Sequence, residues 1–194
     1  MKSAPSPAGS CARAIASMRV ASLALVAVCL PASPALAQAT DTVDVRATLL
    51  GELSLVKAED LDFGNIAGTA AGTVVMTALA SPTCTASAGL VHSGECQPAT
   101  FVGKGQNGRI VRIKKPAGDQ IILTGPGANM TITNLVLNGD PELTSIQQTP
   151  GFSRFRINSG SGFFAFRLGG QLNVGANQPS GLYTGTFNID INYD

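Results

Sequence analysis

Gly181-Leu182-Tyr183-Thr184-Gly185-Thr186-Phe187-Asn188-Ile189-Asp190-Ile191-Asn192-Tyr193-Asp194 is the stretch whose reading decides the fold. Its odd positions from Tyr183 are aromatic, aliphatic or glycine, and its even positions from Thr184 to Asn192 are all polar. A period of two held this long predicts one β-strand from Tyr183 to Tyr193, with one face on a core and the other in water.

Working outward, the same alternation recurs in short runs punctuated by Gly, Pro, Asn and Asp. It predicts strands over Thr42 to Val56, Gly72 to Leu79, Thr100 to Val102, Arg109 to Lys114, Gln120 to Thr124, Met130 to Leu137, Arg154 to Ile157 and Phe163 to Val174. No segment carries a sustained helical stripe. The simplest architecture for such a pattern is an all-β, immunoglobulin-like antiparallel sandwich of Greek-key type. A membrane barrel would need aromatic girdles, and aromatics are only 5 % of the chain. The length of 194 residues, 22 glycines and 13 % charged residues agree with one turn-rich domain. Lys plus Arg number 13 against 12 Asp plus Glu, so the chain lacks the positive excess of a nucleic-acid binder.

Arg13 and Arg19 precede the apolar run Val20 to Leu30, Pro31 and Pro34 break it, and Ala35-Leu36-Ala37 offers small residues for cleavage. Residues 1–37 therefore read as a secretory signal peptide, of ordinary length if translation starts at Met18 rather than Met1. The run is shorter than the roughly 20 residues that span a bilayer, so no integral membrane segment is expected in the mature chain. The expected location is the periplasm, the cell surface or the medium. Residues 38–50 form an N-terminal extension and 51–194 the sandwich. Beyond residue 37 the balance is 10 basic against 12 acidic groups, which implies no steering field of either sign. Cleavage also removes Cys11 and Cys29, and in an oxidising compartment the remaining Cys84 and Cys96 are expected to form a disulfide. A zinc site using both cysteines and His92 lacks a convincing fourth ligand. The Ser- and Gly-rich stretch Ala80 to Gln97 reads as a long loop clamped by the pair.

Candidate chemistry is sparse. Gly103-Lys104-Gly105-Gln106-Asn107-Gly108 matches a dinucleotide fingerprint, but a strand-like run from Arg109 to Ile113 follows where a helix is required, so it reads as a glycine-rich turn. His92 is the one imidazole, and a nucleophilic triad would have to be built around it. Asp60 and Asp62 share one side of a strand, which a hydrolytic carboxylate pair would use; a solvated edge with Leu61 and Phe63 inward explains them as well. No catalysis, cofactor or metal is expected.

A glycine fourteen residues from the end, alternating hydrophobics and a penultimate tyrosine resemble the signature of chaperone–usher pilus subunits. The resemblance implies an immunoglobulin-like domain lacking its last strand. Gly181, Tyr183, Phe187, Ile189, Ile191 and Tyr193 would then be the strand held by a periplasmic chaperone and later bordering an acceptor groove. Val43, Val45, Ala47 and Leu49 alternate with Thr42, Asp44, Arg46 and Thr48, as a donor strand for self-association into a surface polymer would. The same residues also suit the first strand of a self-complete domain. Over a longer span the chain is similar to a family of exported Gram-negative proteins whose domain has no assigned function. That likeness is carried by Asp60-Leu61-Asp62-Phe63-Gly64, Gly72-Thr73-Val74, Phe101-Val102-Gly103, Leu168-Gly169-Gly170-Gln171-Leu172 and Gly181 to Phe187. In familiar pilins the disulfide staples the first two strands across a long loop, whereas Cys84 and Cys96 are close together. The function expected is a structural or adhesive surface protein, with a self-complete periplasmic or secreted binding module as the alternative. The lack of tryptophan weighs against sugar stacking in such a module.

Overall fold

A computed structural model describes residues 51–139 and 141–194. The proposed signal peptide and the donor residues Val43, Val45, Ala47 and Leu49 lie outside the described residues. Thirteen strands follow in order: β1 (Ser54–Glu59), β2 (Asn65–Ala67), β3 (Gly72–Met76), β4 (Cys84–Ala86), β5 (Val91–Ser93), β6 (Ala99–Lys104) and β7 (Ile110–Lys114). A short 3-10 turn at Ala117–Asp119 leads to β8 (Ile121–Leu123), β9 (Met130–Asn138), β10 (Leu143–Thr149), β11 (Phe152–Ile157), β12 (Phe163–Val174) and β13 (Asp190–Tyr193).

All pairings are antiparallel, and two main sheets form a sandwich. In the first, the twelve-residue β12 is central: β6 and then β3 pair along one edge, and β9 takes the other. β1 lies beyond β6, β4 beyond β3, and β8 beyond β9. The second sheet runs β10-β11-β7-β13. β2 and β5 form a separate small ribbon.

The order β1-β6-β12-β9 is that of strands A, B, E and D of an immunoglobulin domain, with β7 and β13 as C and F in the facing sheet. The remaining strands are insertions between these six. In a complete domain strand G lies beside F; among the described residues no strand pairs with the outer edge of β13.

Period-two alternation builds the core. From β12, Phe164, Phe166, Leu168 and Leu172 point inward, facing Val111 and Ile113 of β7 and Phe155 and Ile157 of β11 across the sandwich; all are at most 2 % exposed. Phe101 stacks on Phe166 with centroids 5.1 Å apart and meets the Phe187 edge at 6.4 Å. Such pairs add specificity to the area each ring buries. Lys115 is buried but not unpaired: its Nζ lies 2.9 Å from Asp119 Oδ1 and donates to the Leu135 carbonyl at 2.9 Å.

The terminal stretch departs from the single strand its alternation predicts. Thr184 forms an isolated bridge to Thr124, just beyond β8 on the first sheet, and only residues 190–193 form a strand, on β7 of the second. Gly181 precedes both, against Pro126, with φ 146°. A run that leaves one sheet for the other cannot keep a continuous ladder, yet its alternation survives as burial. Tyr183, Phe187, Ile189, Ile191 and Tyr193 are half-buried, and the even positions are exposed.

Candidate functional site

Two places gather the residues singled out in the sequence: the disulfide end and the open edge formed by β1 and β13.

At the first, Cys84 and Cys96 are bonded with Cα atoms 5.8 Å apart, closing a loop of sequence separation 12. The bond occupies both sulfurs, and His92 Nε2 is hydrogen-bonded to the Phe63 carbonyl at 2.8 Å, so these three side chains serve the fold rather than converging on a metal. The predicted loop Ala80 to Gln97 is more ordered than its composition suggests. β4 extends the first sheet beside β3, and β5 pairs with β2.

Asp60-Leu61-Asp62-Phe63-Gly64 is a structural motif. Asp60 is exposed and ion-paired with Lys57, Phe63 is buried, and Leu61 packs on the core. The Asp62 backbone exchanges two 2.8 Å bonds with Gln97, while its Oδ1 accepts from Gly64 N at 2.8 Å. Gly64 itself has φ 66°, and a Cβ there would lie 2.3 Å from the Glu95 carbonyl oxygen and 2.8 Å from that of Ser93. Only glycine lets the two segments approach so closely. The two carboxylates are thus spent on a surface pair and a turn.

A shallow cleft of about 510 Å³ opens beside this motif, lined in part by Glu59, Glu95, Gln97 and Arg167. Thr100 Oγ1 donates to Glu59 Oε2 at 2.7 Å. The glycine run 103–108 ends β6 with Gly103 and Lys104 and then forms most of the link to β7, with φ 79° at Gly108 and a strand following, as its context predicts.

At the edge formed by β1 and β13, β1 bounds the first sheet, and its Leu55 and the preceding Leu53, both half-buried, pack on the core. β13 bounds the second. The two edges converge at Gly105, where a Cβ would lie 3.1 Å from Leu53 Cδ1 and 3.2 Å from Tyr193 Oη. Tyr193 Oη accepts from Gln106 N at 2.8 Å, which fixes the end of the terminal strand. The contrast along the β7–β13 pair is direct. Val111 and Ile113 are fully buried, whereas their register partners Tyr193 and Ile191, on the same inward face, are only half-covered. The structure thus brings Leu53, Leu55, Ile191 and Tyr193 to the two free edges. Leu53 and Leu55 fall within the first strand predicted over Thr42 to Val56, and the approach of Leu53 and Tyr193 to the same glycine is a long-range relation with no local signal.

Fold and site together define an antiparallel immunoglobulin-type sandwich, stapled by the Cys84–Cys96 disulfide, in which no strand among the described residues pairs with the outer edge of β13. The family model described as Domain of unknown function (DUF4402) matches residues 53–193, and the chain belongs to that family. No curated protein and no solved structure matches it. Among the described residues no helix is long and apolar enough to cross a membrane.

Proposed function

We propose that the protein is an exported structural subunit, of fimbrial or adhesive type, that assembles by strand addition, with the free edge of β13 as acceptor and residues 42–49 of another copy as donor. The observation that carries this reading is the pair of features at β13: no described strand occupies the position of G, and the inward side chains of the last strand are half-covered. An added strand would satisfy the unpaired backbone groups while alternate side chains fill the seam. Val43, Val45, Ala47 and Leu49 have the required spacing, and burying apolar side chains of this kind yields roughly 1.5 to 3 kcal/mol for each large one. Before assembly a periplasmic chaperone would cover the same edge, since an exposed apolar strand edge is an aggregation hazard.

The experiment is gel electrophoresis in detergent, with and without boiling, on protein recovered from the periplasm, comparing wild type with Val45→Asp. Strand addition predicts a ladder that collapses on boiling and is lost in the variant. A single heat-insensitive band for both would contradict it.

One observation favours the second reading, a self-complete binding module: the cleft beside the disulfide presents Glu59, Glu95 and Arg167 together on a covalently fixed rim. Such a module would be a monomer whose thermal stability rises with a small polar ligand.

A further inference from the structure

The near-even count of charges conceals their segregation. On the outer face of the second sheet, Arg112 and Lys114 of β7 stand beside Arg154 and Arg156 of β11; Arg112 and Arg154 are direct cross-strand partners. The alternating inward residues Val111, Ile113, Ser153, Phe155 and Ile157 are buried, which fixes these four side chains outward. Beside β7 two acidic residues share the face, and Glu142, opposite Asn158 just before β10, borders its far end. Asp194 is ion-paired with Arg154, and Asp190 lies across from Lys114 in the register. Four bases against these three acids leave a net positive surface on a chain that is net negative beyond residue 37.

The arrangement has a definite chemistry. The backbones that carry these groups are about 5 Å apart on adjacent strands, and residues two apart along one strand are about 7 Å apart; Arg156 also donates to the Gly108 carbonyl at 3.1 Å. A polymer bearing a carboxylate on each sugar repeats its charge on the same scale, and the guanidinium fork accommodates a carboxylate through two parallel bonds. Exposed Gln147 and Asn192 flank the Arg154–Arg112 row in register and offer amide groups to sugar hydroxyls. Single-stranded nucleic acid would call for free aromatic faces. Among the described residues of β7, β10, β11 and β13, the ring on this face is Phe152, and it is covered by the Arg112 guanidinium at 4.2 Å from its centroid.

We propose that the outer face of β7 and β11 binds a carboxylated polysaccharide, with Arg112, Lys114 and Arg156 as the principal contacts. This surface is distinct from the edge of β13 that would accept a strand, and the proposal does not depend on assembly.

The test is affinity electrophoresis of the full chain through gels containing de-esterified polygalacturonate, neutral dextran or duplex DNA. Arg112→Gln/Lys114→Gln is compared with Lys57→Gln/Lys104→Gln, which removes equal charge from the other sheet, and Arg156→Gln serves as a milder second variant. Retardation by polygalacturonate and not by dextran is expected, about tenfold weaker in the first double variant and unchanged in the control pair, with added salt abolishing it. Equal melting temperatures would show that the loss is one of binding. No retardation of the wild type, equal loss in the control pair, or tighter binding to DNA than to polygalacturonate would overturn the proposal.

Discussion

Replacing Gly64 with alanine separates two costs that the structure places at one residue. At φ 66° an L-residue is disfavoured by about 1–2 kcal/mol. The new Cβ would also sit 2.3 Å and 2.8 Å from two backbone carbonyl oxygens, which belong to β5 and the segment before β6 and cannot swing aside as a side chain could. Forcing them apart adds about 1–3 kcal/mol, as other overpacked sites do. The expected loss is therefore about 2–5 kcal/mol, or on the order of 5–15 °C in melting temperature for a domain of this size. Gly151→Ala is the internal reference. It has φ 83° and nothing within 4 Å of the added atom, so only the backbone cost of about 1–2 kcal/mol should appear. Urea unfolding of the oxidised protein would measure both as midpoint shifts at constant slope. Equal losses for the two variants would refute the argument that Gly64 is required by the approach of those carbonyls.

Removing the disulfide with Cys84→Ser/Cys96→Ser should cost about 3 kcal/mol, as the chain-entropy model gives for short loops, and reductant should shift the wild-type midpoint by the same amount. Ser153 Oγ is buried without a hydrogen-bond partner among the described residues, so Ser153→Ala should leave stability unchanged or raise it by about 1 kcal/mol, read by thermal melting. Tyr193→Phe removes the bond from Gln106 N and should cost about 1 kcal/mol in the same assay, with the ring packing retained.

What was legible in the sequence was the part dictated by alternation between a packed face and water. Ile110 to Lys114, Met130 to Asn138 and Phe163 to Val174 appear nearly where the pattern puts them, because their inward residues form the core. β2, β4 and β5, each three residues long, are too short for any period to register. β10 was missed for another reason: Leu143 is its one fully buried residue, so a polar edge strand looked like a loop. The first strand was predicted to end at Val56 but runs to Glu59, where Lys57 and Glu59 sit on an exposed edge with a register shift. The terminal run displayed its inward face correctly and concealed its crossing between sheets, since the Thr184–Thr124 bridge is set by a partner sixty residues away. Charge was the least legible property. Totals near zero implied no field, and only strand register shows that Arg112 and Arg154 are neighbours.

Under the proposed strand addition, the sandwich is completed at β13 by a strand with the alternation of residues 42–49. The most direct measurement is the melting temperature of residues 51–194, alone and with a synthetic peptide of residues 40–50. Strand addition predicts a low melting temperature that rises with peptide concentration and does not rise with a peptide in which Val43, Val45 and Leu49 are replaced by Asp. A domain that melts as high as the chain retaining residues 38–50, and is unmoved by the peptide, would contradict it.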